Sequence, residues 1–209
     1  MNVYDFDNTI LRGDSSVLFF FWCLKHTPRM WLDIPAQAGN GLLFLLKLRP
    51  KQAFKQRMFG YLRYVDAPRA VEAFWRENLS RVKDWYRAAH RSDDVVISAS
   101  PEFLIRPACA ALGIGGVLAS PVDPRTGAFH GLNCHGPEKV RRFREVYPEA
   151  AVENFYSDSR SDMPMAKIAQ KAWMVRGERV ENWELGIIAI FKNLTNTSKS
   201  ETNADNQKE

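Results

Sequence analysis

The chain has 209 residues and a formal net charge of +5 at pH 7, and hydrophobic residues make up 45% of it. This composition is ordinary for a globular protein, and three cysteines without C-x-x-C spacing argue against a disulfide framework and a structural zinc site. The positive charge is compatible with nucleic acid, an anionic membrane or a phosphorylated substrate, and does not choose among them.

The chain begins with a strand-like segment, residues 2–6, followed closely by a second aspartate, so that Asp5 and Asp7 are one residue apart. This segment lies where a secretory signal would need a basic start and an apolar stretch. Together with the cysteine pattern, it leads us to expect a cytoplasmic protein. Two such carboxylates repel each other by roughly 4 kcal/mol at about 4 Å and an effective dielectric of about 20. The pair therefore predicts a bound cation.

Residues 14–90 then carry apolar side chains at helical spacing, for example Phe20, Leu24 and Phe74. This pattern predicts a helical insertion between the first strand and the second. From Asn193 onward the chain is polar and free of aromatic residues, which is typical of disorder. We therefore expect three parts: a core domain of residues 1–13 and 91–185, a helical cap of residues 14–90, and a mostly disordered tail of residues 186–209.

The second half of the chain alternates short β-prone runs with helix-like stretches. The further runs are residues 94–98, 116–119, 152–156 and 172–175, and the helix-like stretches are residues 101–112, 137–147 and 162–171. Residues 120–134 resemble a small β-hairpin with a turn at 123–127. Strand–helix alternation predicts an α/β fold, a doubly wound parallel sheet that is covered by helices on both faces.

Polar and charged residues follow the ends of several predicted strands. In an open parallel sheet, functional groups gather at the carboxyl ends of strands, where they face one crevice. Besides Asp5 and Asp7, the residues expected there are Ser98, Asp158, Asp162 and, at the start of a helix, Lys139.

This ordered set, D-F-D-N-T, a serine after an apolar strand, a lysine, and D-x-x-x-D, resembles the haloacid dehalogenase superfamily. The helical insertion after the first motif is similar to that of subfamily IB, which contains the phosphoserine phosphatases. The resemblance spans residues 1 to about 183. It implies a Rossmann-like core and a phosphomonoester hydrolase that depends on Mg²⁺ and forms an aspartyl-phosphate.

The resemblance also implies roles for individual residues. Asp5 would be the nucleophile, and Asp7 the acid that protonates the leaving group and then the base that activates water. Mg²⁺ would be held by the Asp5 carboxylate, the Asp7 main-chain carbonyl and Asp158, with Asp162 steadying these ligands. Ser98 and Lys139 would bind the phosphoryl group.

The sequence departs from phosphoserine phosphatases in places that concern the substrate. Those enzymes have two glycines after the second-motif serine, whereas this chain has Ala99 and Ser100. The acidic residue expected soon after the first motif is replaced in register by Gly13 or Asp14. Arg57 and His135 are weaker candidates for substrate binding. A phosphorylated small molecule is therefore expected, and its identity stays open.

A second resemblance is to bacterial phosphatidylglycerophosphatases of the same branch, in residues 134–140 and 156–164, with residues 173–175 beyond them. The insertion fits a membrane surface, because apolar residues there are flanked by cations. The apolar residues are Trp31 and Leu42 to Leu46, and the cations are Lys25, Arg29, Lys47, Arg49, Lys51 and Lys55. We therefore expect peripheral contact with an anionic membrane as one alternative, and packing of these residues against the core as the other. No spanning helix is expected, since the uncharged run Ile34 to Leu46 is too short.

A nucleic-acid-binding module is a third hypothesis, suggested only by the positive charge. The sequence contains no recognition motif for nucleic acid, so no such partner is expected.

Overall fold

The computed structural model describes residues 1–48, 54 and 57–183. The predicted tail of residues 186–209, and the cations Arg49, Lys51 and Lys55, lie outside the described residues. The strands are β1 (Asn2–Tyr4), β2 (Val95–Pro101), β3 (Gly116–Ser120), β4 (Val152–Ser157), β5 (Ala169–Arg176) and β6 (Arg179–Asn182). The α-helices are α1 (Ser15–His26), α2 (Ile34–Leu45), α3 (Ala67–Asn78), α4 (Asp84–Ala89), α5 (Glu102–Ala111), α6 (Pro137–Val146) and α7 (Met163–Ile168). Short 3₁₀ turns lie at Pro28–Asp33, Phe59–Tyr64, Leu79–Arg81 and Arg160–Asp162.

The strands form one sheet in the order β3-β2-β1-β4-β5-β6, in which β1 to β5 are parallel and β6 is antiparallel to β5. Val3 pairs with Val95 on one side and with Phe155 on the other, so β1 lies between β2 and β4. The predicted α/β fold with a parallel sheet is confirmed. Because β1 is central, the strands that follow it in the sequence lie on both sides of it, and the strand order reverses at β1. A crevice usually opens at the carboxyl end of the strands at such a point.

Successive residues of β1 point into two different hydrophobic clusters, as expected from the alternation of side chains along a strand. Val3 packs with Phe143 and Phe155 on one face of the sheet. Tyr4 belongs to the cluster on the other face, which also contains Phe19 of α1. Both faces of β1 are therefore buried, as in a doubly wound sheet.

The insertion packs directly on the core. The ring of Phe6 meets that of Trp75 on α3 edge-on at 5.9 Å, and the Trp75 indole donates to the Leu104 carbonyl at 2.6 Å. The two chain segments that enter and leave the insertion also pair with each other, since Leu11 and Val82 form an antiparallel bridge. The domain boundaries at 13/14 and 90/91 stay a prediction.

Several element boundaries differ from those expected. β1 ends at Tyr4, before Asp5, where the chain turns into a loop. The helix predicted over 162–171 ends at Ile168, because residues 169–174 pair with β4 and their backbone groups are satisfied by the ladder. Of the hairpin predicted over 120–134, one antiparallel bridge forms, between Val122 and Phe129 on the two sides of the turn. The Asp123 backbone N–H donates to the Ala128 carbonyl at 2.8 Å, and no longer strand pair forms in this segment beyond Ser120, the last residue of β3. No strand is predicted from the sequence at Arg179–Asn182, where β6 forms by pairing with β5.

Among the helices that the structure describes, none combines the length and the hydropathy needed to cross a bilayer.

Candidate active site

The loop that follows β1 turns tightly and brings two carboxylates to the carboxyl edge of the sheet. Both Ile10 and Leu11 donate their backbone N–H groups to the Phe6 carbonyl, at 2.9 and 3.0 Å. Asn8 adopts a positive φ of 55°, a conformation that asparagine tolerates better than most residues. The turn lets Asp5 and Asp7 present their side chains to one crevice although they lie beyond the strand.

An open cavity of about 230 Å³ lies at this edge. It brings together seven of the eight predicted site residues. Its lining consists of Asp5, Asp7, Asn8, Asp14, Ser98, Ala99, Ser100, His135, Lys139, Asp158, Ser159, Ser161 and Asp162. The catalytic, metal-binding and phosphate-binding roles of these residues stay predictions.

Lys139 lies at the base of the cavity between two carboxylates. Its ammonium donates to Asp5 Oδ1 at 2.7 Å and to Asp162 Oδ2 at 2.8 Å, and its side chain is 2% exposed. Burial disfavours the charged lysine, but the two carboxylates outweigh it, so the pKa of Lys139 is raised. Burial also raises the pKa of Asp5, and the positive charge of Lys139 opposes that rise. The lysine is therefore a fixed cation that helps to keep Asp5 ionised.

The second oxygen of Asp5 faces away from the lysine, toward Thr9 and Asp158. The Thr9 hydroxyl lies 3.5 Å from Asp5 Oδ2 and 3.5 Å from Asp158 Oδ1, and it accepts from the Asp158 backbone N–H at 2.9 Å. One hydroxyl therefore reaches both carboxylates. Asp162 is held in turn by the Ser157 hydroxyl, which donates to it at 2.7 Å.

Asp7 is held by donors from two elements. Its Oδ1 accepts from the Ser15 backbone N–H at 2.7 Å, and its Oδ2 accepts from the Ser100 hydroxyl. Burial raises the pKa of Asp7 to about 6, and the nearby charge of Asp14 adds to the rise, whereas these hydrogen bonds oppose it. An acid with such a pKa can hold a proton or release it near neutral pH.

Ser98 and Ser100 reach the cavity because β2 is irregular at its end. The register with β3 shifts between Ile97 and Pro101, which is typical of a bulge next to a functional site. The Ser98 hydroxyl accepts from the Ser100 backbone N–H at 3.1 Å. In that bond the Ser98 oxygen is the acceptor, so the bond does not use the Ser98 hydroxyl proton. That proton is the one that would be donated to a phosphoryl oxygen.

Arg57 is the predicted residue that the structure does not bring to this cavity. Its side chain is exposed, and its backbone carbonyl accepts from Gln37 on α2 at 3.2 Å. His135, by contrast, lies in the lining. Sequence reasoning missed Thr9, Ser15 and Ser157, whose hydroxyl or amide groups fix the acidic residues. Thr9 is the last residue of the D-F-D-N-T motif, but no role was predicted for it. Ser15 and Ser157 have no distinctive spacing that would mark them.

The charges around the cavity favour a bound cation. The lining described above contains five carboxylates and one buried ammonium, that of Lys139, which binds Asp5 and Asp162. Within the described chain, no three His, Cys, Asp or Glu side chains lie at the spacing of a metal site. Mg²⁺ keeps several waters and needs only one or two carboxylates, however. Asp5 Oδ2 and Asp158 Oδ1, both within reach of Thr9, fit such a hydrated ion.

Comparisons with known proteins agree with this geometry. The sequence profile of the family described as haloacid dehalogenase-like hydrolase matches residues 3–167, a range that includes the whole cavity lining. The "Probable phosphatase Rv3661" of Mycobacterium tuberculosis (strain ATCC 25618 / H37Rv) is 33% identical over an alignment of 105 residues, and the match covers 44% of this chain and 36% of that protein. The chain spans only a little over a third of the length of the curated relatives it matches.

Two solved structures have a similar fold. One, a protein with unknown function from Bordetella pertussis Tohama I, has a TM-score of 0.68 and 17% identity, with 82% of this chain and 87% of that chain covered. The other, a phosphoserine phosphohydrolase-like protein from Francisella tularensis subsp. tularensis SCHU S4, has a TM-score of 0.54 and 16% identity, with coverages of 82% and 86%. At these identities the likeness shows the fold.

Proposed function

Because this chain belongs to the haloacid dehalogenase-like hydrolase family, we propose that it is a Mg²⁺-dependent phosphatase that transfers phosphate from a small phosphomonoester to Asp5. The observation that carries this proposal is the environment of Asp5. One of its oxygens is bound by the buried ammonium of Lys139, and the other faces Thr9 and Asp158 in an open cavity. A carboxylate held in this way is oriented and accessible to a substrate, and the ammonium beside it favours its ionised form.

In the first half of the reaction, a carboxylate oxygen of Asp5 attacks phosphorus and the bond from phosphorus to the alcohol oxygen breaks. Asp7 donates its proton to the departing oxygen, so an alcohol leaves and an aspartyl-phosphate remains. Ser98 donates to a phosphoryl oxygen, and the charge of Lys139 offsets that of the transferring group.

In the second half, Asp7 takes a proton from a water molecule that attacks phosphorus. The bond between phosphorus and the Asp5 oxygen breaks, which releases inorganic phosphate and restores the carboxylate. Asp5, the Asp7 carbonyl and Asp158 would hold Mg²⁺, with Asp162 fixing the arrangement. When bound, the ion supplies positive charge to the phosphoryl oxygens.

The proposal is tested with p-nitrophenyl phosphate. We expect turnover that requires Mg²⁺, stops on chelation, and falls by at least about 10³-fold in Asp5→Asn, because the amide is no nucleophile. Asp66→Asn, at an exposed position ahead of α3, is the matched control and should retain full activity. Robust turnover by Asp5→Asn would remove the covalent mechanism.

The intermediate itself is tested by acid quenching with a ³²P-labelled substrate. Label that stays on the wild-type protein and is released by hydroxylamine indicates an acyl phosphate. Asp7→Asn should accumulate more label from a substrate with a good leaving group, since its second half-reaction lacks the base. Absence of label in both proteins, with turnover intact, contradicts the intermediate.

We propose that the physiological substrate is a small phosphorylated metabolite in the cytoplasm, of the kind used by phosphoserine phosphatase-like enzymes. The cavity of about 230 Å³ supports a small substrate. A panel of phosphorylated metabolites that includes phosphoserine identifies it through the ratio of kcat/KM values. A panel without any substrate better than p-nitrophenyl phosphate would contradict a metabolite role.

A second candidate function is a lipid-phosphate phosphatase that works at an anionic membrane surface. The observation that favours it is exposure of large apolar side chains in the insertion: Trp31 is 63% exposed, Leu32 79% and Leu45 78%. Lys25, Arg29 and Lys47 are exposed in the same segment. Apolar side chains among cations suit the interface of an anionic bilayer.

Flotation with phosphatidylglycerol vesicles separates the two functions. If the membrane function is correct, the protein floats, and Leu32→Glu with Leu45→Glu lowers the bound fraction at least tenfold. Leu132→Glu, which is 58% exposed and lies outside the insertion, is the matched control and should bind like the wild type. No binding, together with no turnover of phosphatidylglycerophosphate, ends this candidate.

A further inference from the structure

Three buried serine hydroxyls meet beside Asp7. Ser15 and Ser16 begin α1 of the insertion, and Ser100 lies near the end of β2 in the core. The Ser100 oxygen lies 3.1 Å from that of Ser15 and 3.2 Å from that of Ser16, and the Ser100 hydroxyl also contacts Asp7 Oδ2. All three residues are at most 6% exposed.

The proton of each hydroxyl has one consistent place. A hydroxyl has one proton to donate and two lone pairs that accept. With Asp7 ionised, Ser100 gives its proton to the carboxylate, so Ser15 and Ser16 must both donate to Ser100. The Ser100 hydroxyl is then fully used, as donor once and as acceptor twice. Such a saturated hydroxyl has a fixed orientation, unlike one that rotates in solvent.

The two oxygens of Asp7 are thereby held from two sides. The Ser15 backbone N–H binds Oδ1 at 2.7 Å, and Ser100 binds Oδ2. Two donors at different oxygens fix the plane of a carboxylate, and each oxygen keeps a further lone pair that can carry the proton for the leaving group. One donor comes from the insertion and the other from the core, so the orientation of Asp7 depends on how α1 is seated.

We propose that Ser100 is a positioning residue for Asp7, and that Ser15 and Ser16 make the orientation of this acid depend on the seating of the insertion on the core. The proposal rests on the proposed function, in which Asp7 protonates the leaving group. In the proposed reaction Ser100 acts through Asp7 and does not itself contact the reacting atoms. Its effect should therefore depend on how much the leaving group needs a proton.

A comparison of substrates with different leaving groups gives a ratio of kcat/KM values that a purely structural role of Ser100 would not change. A p-nitrophenolate leaves readily without a proton, whereas the more basic phenolate needs one in the transition state. kcat/KM reports the first irreversible step, the transfer of the phosphoryl group to Asp5. A misoriented acid therefore lowers kcat/KM for phenyl phosphate more than for p-nitrophenyl phosphate.

For Ser100→Ala we expect kcat/KM to fall about 30-fold or more with phenyl phosphate and at most about 3-fold with p-nitrophenyl phosphate, because a misoriented acid loses part of the roughly 10²- to 10⁴-fold that a general acid contributes. Ser100→Thr keeps the hydroxyl and should recover most of the phenyl phosphate activity. Ser16→Ala should show the same selective loss at smaller size. Ser80→Ala, at an exposed position in a 3₁₀ turn, should behave like the wild type.

Equal losses on both substrates in Ser100→Ala and Ser16→Ala, or no loss in either, overturn the proposal. If Ser100→Ala does not fold, as seen by thermal denaturation, Ser16→Ala and Ser100→Thr decide the question by the same ratio. Failure of the proposed function looks different, since the wild type would then have no Asp5-dependent activity on either substrate.

Discussion

The ammonium of Lys139 lies 2.8 Å from a carboxylate oxygen of Asp162, and their side chains are only 2% and 3% exposed. The same ammonium binds Asp5 at 2.7 Å. One buried cation therefore partly neutralises the charges of two aspartates that lie 157 positions apart in the sequence. A buried ion without its partner is far more costly than one at the surface.

Lys139→Met should therefore destabilise the protein by about 3–5 kcal/mol, because it leaves Asp5 and Asp162 buried without a cation. Activity should fall with it. The double variant Lys139→Met with Asp162→Asn should recover part of the stability, since one unpaired charge is removed. Urea denaturation measures both. A single variant within about 1 kcal/mol of the wild type would show that the lysine does not stabilise this cluster.

If Asp5 and Asp158 hold Mg²⁺ as proposed, Thr9→Val should raise the Mg²⁺ concentration needed for half-maximal activity by about 10- to 100-fold, the usual cost of losing a group that orients metal ligands. Valine fills the same volume, but it lacks the hydroxyl that lies 3.5 Å from both Asp5 and Asp158. Thr9→Ser keeps the hydroxyl and is the control. The measurement is activity against Mg²⁺ concentration, and an unchanged Mg²⁺ dependence in the valine variant contradicts the expectation.

Lys83→Met should destabilise the protein by about 2 kcal/mol or more and lower kcat. The buried ammonium of Lys83 donates to the carbonyls of Asn8 and Gly177, and bonds to charged groups are worth about 1.5–3 kcal/mol each. Asn8 lies next to Asp7, so the loop that carries the acid loses a support. Lys167→Met, exposed on α7, is the control. Thermal denaturation and kcat check the pair, and similar values for both variants would contradict this role.

Glu138→Gln should destabilise the protein at pH 7 by about 1–2 kcal/mol, and the difference should become smaller in acid. Hydrogen bonds from Arg141 and Arg142 lower the pKa of Glu138 from 4.5 to about 2. A carboxylate whose pKa falls on folding contributes its stability above pH 4.5 and loses it as the pH falls toward about 2.

Urea denaturation of the wild type and the Glu138→Gln variant at pH 7 and at about pH 3 measures this convergence. Glu145→Gln, which removes an exposed partner of Arg141, is the control and should change stability by less than about 0.5 kcal/mol at either pH. A constant difference between wild type and Glu138→Gln at both pH values would assign the effect to packing.

The acidic residues and the fold were predictable because they follow general rules of parallel sheets. Asp5, Asp158 and Lys139 come at the ends of apolar strands or the start of a helix, and such positions meet at one edge. The order of strands around β1 then brings them to the same cavity. Their meeting could be inferred without knowing any contact.

The supporting hydroxyls were not predictable, since they depend on packing between distant segments. The Ser100 hydroxyl reaches Asp7 from the irregular end of β2, and the Ser15 hydroxyl, at the start of α1, reaches Ser100. The helix expected through Lys171 was overridden by pairing of that segment with β4, and β6 forms by pairing with β5. Local propensity carries no information on such partners.

The turn between β5 and β6 lies at the far edge of the sheet, yet it is tied to the loop that carries Asp5 and Asp7. Gly177 has a φ of 60° and accepts from Lys83 at 2.6 Å, while Glu178 binds Arg12 at 2.7 Å. An insertion or deletion in this turn would displace both contacts at once, that of Gly177 with Lys83 and that of Glu178 with Arg12. Its length should therefore be under stronger constraint during evolution than its surface location suggests.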